Sequence, residues 1–484
     1  MVDGLIKLQL IEMNYREFFT AVLLVLTGPC AFGQGANINI HLRGVYETKI
    51  SIQSQASGTL KTVVEHSSLK GGQNAVLQIP GESLPGDFVL RFDYKENQGS
   101  TPYPAERRIV IGNQDLELWV HPKHINNPDS TYFQKGEREN AMLATFSAEN
   151  QQKREKLGLL QNLLMGYDKP QSAFYKSAVN EFESRRREYN DWLKQQSRLH
   201  AGLFVSHTFL LQHLPAIEWK GSESDRLQSL IANYFEGIDF RDSLLIKTSG
   251  LRDWMNGYVN IYGTMATTEA LRDSLFTLAG RRAIEKAREG HPMVYGWMVD
   301  YFYNGYESFN MQAGIRMLEP YLGDPRCMTT KRIAIEKRLK GIETLKPGVP
   351  APDFMIKDDS GKQVEFSKYK SDAKYKLLLF WSADCQHCKE LIKVLHPWYE
   401  QDGKSKVEVF AISLDDTDTE IASWEKATGK LPGFKHRRAA SGINSPEANA
   451  YYVLSTPTMV LIEARTNKIV AMPDNLESIK QSIR

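Results

Sequence analysis

Hydrophobic and polar residues alternate along three stretches in the first quarter of the chain. Ile38, Ile40 and Leu42 form the first, Phe88, Leu90, Phe92 and Tyr94 the second, and Leu116, Leu118 and Val120 the third. A period of two places each set on one face of a β-strand. Turn formers such as Lys70-Gly71-Gly72 and Leu84-Pro85-Gly86 separate the runs. Short strands at this spacing predict a small β-sandwich over residues 34–122. The segment from His121 to Tyr132 carries Pro122, Asn126, Asn127 and Pro128 and reads as a linker. The period then changes. Leu157, Leu160, Leu164 and Met165 make one helical stripe, and Phe174, Ala178, Phe182 and Tyr189 make another. An all-α domain over residues 123–340 follows from that pattern. Pro215, Gly250, Gly263, Gly290-His291-Pro292 and Gly323-Asp324-Pro325 punctuate its helices.

A second linker runs from Lys340 to Asp353, rich in Pro and Gly. Beyond it, continuous apolar runs alternate with helical stripes. Leu377 to Trp381 is long enough for a strand buried on both faces, and Val407 to Leu414 is a second such strand. Leu391, Ile392, Leu395 and Trp398 recur at helical spacing, and Thr417 to Thr428, with Ile421 and Trp424, predicts another helix. Strands alternating with helices imply an α/β domain with a mostly parallel sheet over residues 346–484.

The N-terminal pattern is of a different kind. Phe18 to Leu26 is a short apolar core preceded by Arg16, as in a signal peptide. Ala31-Phe32-Gly33 supplies the small residues that signal peptidase reads, so residues 1–33 are expected to be removed and the mature chain to begin at Gln34. The run is too short to span a bilayer, which takes about twenty apolar residues. Export to the periplasm follows. Lipid attachment through Cys30 is the alternative, and Pro29 before it fits a lipobox poorly.

Length and charge add two bounds. A chain of 484 residues holds about three domains. A net charge of +2 gives no reason to expect nucleic acid as a partner.

The chemistry is concentrated at Cys385 and Cys388, which stand at Cys-x-x-Cys spacing between a buried strand and a helix. A helix N-terminus favours negative charge, because its first amides lack partners. A thiol there loses its proton more easily, and the thiolate is the nucleophile. Zinc binding, the usual competitor, needs four ligands, and no second Cys-x-x-Cys or His-x-x-x-His follows. An inert disulfide is the other competitor, out of place at a strand-to-helix turn. Removal of Cys30 leaves Cys327, in the turn-like Gly-Asp-Pro-Arg-Cys, as an unpaired thiol.

Elsewhere the aromatics Trp254, Tyr258, Tyr262, Tyr295, Trp297, Tyr301, Phe302, Tyr303 and Tyr306 fall at helical spacing. They read either as core or as a partner groove. His200, His207 and His213 are spaced to share one side of a helix.

Pro350-Ala351-Pro352-Asp353-Phe354, Phe380-Trp381, the two cysteines and Thr456-Pro457-Thr458 together resemble the thioredoxin-like superfamily. Within it they resemble the TlpA-like branch of envelope thiol–disulfide oxidoreductases. The resemblance covers the chain from about Lys346. It implies a thioredoxin-like fold and an exported oxidoreductase that exchanges disulfides with envelope proteins. Cys385 would attack and Cys388 resolve. A cis-proline loop at Thr456 and Pro457 would line the partner strand. Trp381, Asp384, Gln386 and His387 complete the expected partner-binding set. Protonated His387 would favour negative charge on the neighbouring sulfur and Asp384 would oppose it. No cofactor beyond the dithiol is implied, and a membrane electron donor or acceptor is.

The sequence departs from the family at Leu379, where thioredoxin has a buried Asp, and at Leu391, where the branch often has Glu. Two other classes compete. A peroxiredoxin would show Pro-x-x-x-Thr-x-x-Cys, and Leu378 and Ser382 stand at the Pro and Thr positions. A non-catalytic envelope binding or scaffold protein would use the dithiol only to stabilise one domain.

Overall fold

The computed structural model describes residues 35–54, 60–357 and 360–483. The expected signal peptide and Cys30 lie outside the described residues. Among the described residues no helix is long and apolar enough to cross a membrane. The chain divides into two compact units within one helix, one ending at Tyr258 and the other beginning at Val259.

The first unit opens with eight strands: β1 (Ala36–Leu42), β2 (Glu47–Ser54), β3 (Lys61–Lys70), β4 (Asn74–Ile79), β5 (Gly86–Lys95), β6 (Tyr103–Ile111), β7 (Leu116–Val120) and β8 (Tyr132–Phe133). They form two four-stranded sheets, in the orders β4-β1-β7-β8 and β3-β2-β5-β6. The alternation determines what is buried. Ile38, Ile40, Leu42, Leu116, Leu118 and Val120 of one sheet share a core with Ile50, Ile52, Phe88, Leu90 and Phe92 of the other. Burying each such side chain stabilises by roughly 1.5–3 kcal/mol before the entropy of ordering it. Strand β8 carries its sheet past the expected boundary at residue 122, by pairing Phe133 with Leu118. The Pro and Asn of that segment therefore mark a turn inside the sheet and not a linker after it.

Helices α1 (Glu139–Gly166), α2 (Ala173–Leu199) and α3 (Glu223–Asn233) follow, then α4 (Ser249–Thr264), in which the two units divide. Phe146, Leu157 and Leu164 of α1 pack with Tyr175, Phe182, Tyr189 and Leu193 of α2, as the stripes require. Met165 and Phe174 lie at the facing ends of the two helices and stay exposed. The three histidines do not share a helix side. His200 caps α2, whereas His207 lies in a 3-10 helix, Phe204–Gln212, against Asp242. His213 pairs with Asn190 instead.

The second unit continues with α5 (Glu269–Arg288), α6 (Pro292–Ser308), α7 (Gln312–Met317), α8 (Glu319–Leu322) and α9 (Arg332–Thr344). Tyr262, Tyr295, Phe302, Tyr303 and Tyr306 are buried here, and Trp254 and Tyr258 are buried in the first unit. These aromatics are core, and of them Trp254 also lines a cavity of about 490 Å³ in the first unit. Gly280 is needed for this packing, since a Cβ there would sit 1.9 Å from the Tyr306 hydroxyl.

The remaining elements are β9 (Met355–Lys357), β10 (Gln363–Glu365), β11 (Tyr375–Trp381), α10 (Gln386–Trp398), β12 (Val407–Ser413), α11 (Asp418–Thr428), β13 (Lys435–Arg438), α12 (Pro446–Ala450), β14 (Thr458–Glu463), β15 (Lys468–Ala471) and α13 (Leu476–Ser482). The main sheet has the order β13-β12-β11-β14-β15. Its central strand explains the unbroken apolar run. Leu377, Leu379 and Trp381 face one core with Leu391 and Leu395, while Leu378 and Phe380 face the other with Phe366, Phe410 and Tyr451. The sheet is mixed and not mostly parallel: β11–β12 and β12–β13 are parallel, but β11–β14 and β14–β15 are antiparallel. The last pair is a hairpin, in which a short turn at Asn467 (φ 53°) reverses the chain.

Candidate active site

Strand β11 stops at Trp381 and the chain turns through Ser382, Ala383 and Asp384 into α10. Cys385 is the N-cap of that helix, with extended backbone at φ −72° and ψ 120°. Its sulfur accepts the Cys388 backbone N–H at 3.2 Å. The cysteine thus occupies the capping position usually filled by a side-chain oxygen. The first sulfur of the dithiol is placed where amides without helical partners converge.

The two cysteines differ in environment. Cys385 is half-buried, and Cys388 is completely buried beneath it. Burial, followed by the neighbouring Cys385, pushes the Cys388 thiol well above its ordinary range, to about 12; the Thr456 hydroxyl pulls it the other way. The Cys385 thiol donates to the Thr456 carbonyl at 3.3 Å. The next peptide bond, Thr456-Pro457, is cis. The structure therefore brings Thr456 and Pro457, 71 residues away in sequence from Cys385, to the dithiol.

The other expected site residues are arranged differently. Trp381 is 2% exposed and packs in the core with Ala383, Cys388 and Leu391. It cannot meet a partner directly, which corrects its assignment to the binding set; as the last residue of a strand buried on both faces it supports the site from below. Asp384, Gln386 and His387 are on the outside. Gln386 donates to Glu390 at 2.9 Å. His387, its side chain 84% exposed, lies 3.8 Å from the same carboxylate. Asp384 lies 3.9 Å from the Lys389 ammonium. These contacts are solvent-screened and weak. Cys327 is buried in the helical part, where burial raises its thiol above the ordinary range.

One residue absent from the sequence expectations holds the loop before the cysteines. Asp415 is 1% exposed. Its carboxylate accepts from the Ser382 hydroxyl at 2.5 Å, the Ala383 amide at 3.0 Å and the Ser413 hydroxyl at 2.7 Å. A buried carboxylate is tolerated when hydrogen bonds surround it, and here they fix the Ser382–Ala383 turn. The only sequence signal was its place just past the second buried strand. Asp353, in the Pro-Ala-Pro-Asp-Phe motif, plays a similar part at the domain's entry. It accepts from the Ser367 amide at 3.0 Å and from the Ser367 hydroxyl.

Beside the dithiol lies a cavity of about 870 Å³, lined among others by His387, Val394, Pro457, Tyr452 and Arg338. Its walls come from α10, the loop before β14, and the last helices of the helical part.

Residues 347–469 match the model of the AhpC/TSA family. Over 122 residues the chain is 27% identical to thiol-disulfide oxidoreductase ResA of Bacillus thuringiensis subsp. konkukian, an alignment covering 25% of this chain and 66% of that protein. Over 133 residues it is 27% identical to thiol-disulfide oxidoreductase ResA of Bacillus subtilis, covering 27% and 70%. The chain thus spans about two thirds of the length of the curated relatives it matches. Among solved structures, a thioredoxin-like protein from Bacteroides caccae aligns over 56% of this chain and 96% of its own, at 20% identity and a TM-score of 0.39. The C-terminal part is a thioredoxin-like domain similar to thiol–disulfide oxidoreductases, preceded by a strand-rich and a helical region.

Proposed function

We propose that the protein is an exported thiol–disulfide oxidoreductase that exchanges disulfides with proteins of the cell envelope through Cys385 and Cys388. The observation that carries this reading is the pairing of a half-buried sulfur at a helix N-terminus with a fully buried one a turn later. In the reducing direction the Cys385 thiolate attacks one sulfur of a partner disulfide, and the other partner sulfur leaves as a thiolate. The Cys388 sulfur, losing its proton, then attacks Cys385. The partner departs as a dithiol with two electrons gained, and a Cys385–Cys388 disulfide remains. The reverse sequence oxidises a dithiol. Repeated turnover requires a membrane donor or acceptor of electrons, and the dithiol is the only redox group the reading needs. Thr456 and Pro457 line the partner strand in this reading, with Asp384, Gln386 and His387 at its rim.

Export rests on the apolar core at Phe18 to Leu26 and the small residues at Ala31 and Gly33. The two N-terminal sheets with a shared core are read as a β-sandwich that, with the helical region, serves packing or partner binding. Reduction of insulin by the purified protein, with dithiothreitol as electron source, tests the activity. A rate no higher than dithiothreitol alone, in wild type and at several pH values, would remove the oxidoreductase reading.

The AhpC/TSA match raises peroxide reduction as a second reading. The position of the family threonine is Ser382, whose hydroxyl donates to Asp415. Peroxide consumption by the reduced protein decides between the two.

A further inference from the structure

Helix α9 ends the helical region, yet its contacts run to the loop that presents Thr456 and Pro457. The Lys337 ammonium donates to the Val453 carbonyl at 3.0 Å and to the Asn449 side-chain oxygen at 3.1 Å. One turn later, Gly341 lies against Tyr452, so close that a Cβ there would come within 2.9 Å of the Tyr452 Cβ. Tyr452 itself sits in the left-handed region at φ 48°, a conformation that costs a non-glycine residue free energy and persists only when its surroundings impose it. On the other side the loop is anchored within the domain, by the Tyr451 hydroxyl donating to the Pro352 carbonyl at 2.6 Å. Val453 is three residues from Thr456, whose carbonyl accepts from Cys385. A tie at Val453 is therefore a tie on the sulfur's neighbour.

The Cys385 sulfur stands between two opposed groups. The Cys388 amide donates to it, a bond that sulfur keeps with or without its proton, whereas the Thr456 carbonyl accepts its proton, a bond only the thiol can make. The first is fixed by the helix. The second depends on where the loop is held. We propose that Lys337 is a positioning residue for disulfide exchange: it holds the 449–457 loop so that the Thr456 carbonyl and Pro457 meet the Cys385 sulfur and the incoming partner. The proposal rests on the reading of Cys385 as the attacking thiol. Burial lowers the proton affinity of Lys337 below that of an ordinary lysine, in keeping with a structural and not a solvated ammonium.

The test uses the full reduced chain and three variants. Lys337→Met keeps the length of the side chain and removes its donors. Lys337→Arg keeps donors, and Asn449→Ala removes one acceptor while leaving the bond to Val453. Two rates are read at pH 7: alkylation of Cys385 by iodoacetamide, located by peptide mass spectrometry, and reduction of a disulfide-bearing peptide. With the loop released, Lys337→Met should alkylate about threefold faster, because the sulfur loses its acceptor. Its kcat/KM for the peptide should fall about tenfold, mainly through KM, as expected for loss of a charged hydrogen-bond pair. Lys337→Arg should restore at least half of both, and Asn449→Ala should lie between. A lysine that merely stabilised the fold would, when lost, expose the buried Cys388 to the reagent as well, whereas release of the loop alone leaves Cys388 protected. Wild-type alkylation and KM in Lys337→Met would overturn the proposal. So would a Lys337→Arg variant as impaired as Lys337→Met despite an unchanged melting temperature. If the wild type reduces no peptide at all, the oxidoreductase reading fails, while the alkylation rates still decide what Lys337 does.

Discussion

The Ser382 hydroxyl donates to the Asp415 carboxylate at 2.5 Å, joining the loop before the dithiol to the residue just past the neighbouring strand. The same carboxylate takes the Ala383 amide and the Ser413 hydroxyl. Removing it leaves the buried Ala383 amide and Ser413 hydroxyl and the half-buried Ser382 hydroxyl without this acceptor, a loss on the order of 3 kcal/mol. Asp415→Ala should therefore loosen the turn ahead of Cys385 and admit reagent to Cys388. Alkylation of Cys388 in native buffer, followed by mass spectrometry, is the measurement. Protection equal to wild type would show that the turn does not depend on Asp415.

The roles of the two thiols can be separated by trapping. Cys388→Ser removes the resolving sulfur, so a partner captured by Cys385 should remain as a mixed disulfide. Cys385→Ser should capture little, because the remaining sulfur is fully buried. Cys327→Ser should turn over like wild type, since that thiol lies buried in the helical part. Non-reducing gels of the three variants, made in the native host, show the outcome. Equal trapping by the two dithiol variants would reverse the assignment.

Much of this site was legible in the sequence because its signals are local. The five-residue apolar run from Leu377 predicts a strand buried on both faces, and β11 is one. Leu391 and Leu395 are buried at the positions helical spacing gives them. Thr417 was expected to open a helix, and it caps α11 in a reciprocal capping box with Glu420. What escaped was non-local. Asp415 and Lys337 act on residues 33 and 116 positions away. Nothing in a run of side chains announces which distant carbonyl or hydroxyl will meet them. The aromatics of the helical part show the same limit. Spacing grouped them but did not say whether the shared face was covered, and the burial of Tyr262, Tyr295 and Tyr306 does. Mixed strand direction was hidden for a related reason: hydrophobic pattern is blind to strand polarity, and β14 runs antiparallel to β11.

The first unit should lose stability in mild acid. Burial, reinforced by Arg186 and Lys194, lowers the His213 imidazole to about 4. Its ordinary value is about 6.5. Between those limits the unfolded chain binds a proton that the folded one refuses, so stability falls as the pH drops through the window. Above about 6.5 both states are neutral there and the contribution is whole. His213→Gln, which can still accept from Asn190, should flatten that part of the curve. Urea midpoints measured from pH 4 to 7 make the comparison; parallel curves for the two proteins would count against the assignment.

The last prediction concerns the step that frees the partner. Resolution requires Cys388 to attack the mixed disulfide as a thiolate, yet burial raises this thiol above its ordinary range. At neutral pH only a small fraction is ionised. That fraction grows about tenfold for each pH unit below the thiol's pKa. The nucleophile is the thiolate, so the rate of resolution should rise nearly as steeply. No acid stands at Leu391 to take the proton, and that residue is part of the apolar packing around Cys388. Cys385, half-buried at the helix N-cap, is the more accessible of the two sulfurs and makes the first attack. The two steps should therefore separate at low pH, with mixed disulfide accumulating below neutrality and disappearing above it. A preformed mixed disulfide between Cys385 and a fluorescent peptide, released in stopped flow from pH 6 to 9, gives the slope. A slope near one confirms that Cys388 ionises unaided. A flat profile would mean that a neighbouring group removes its proton.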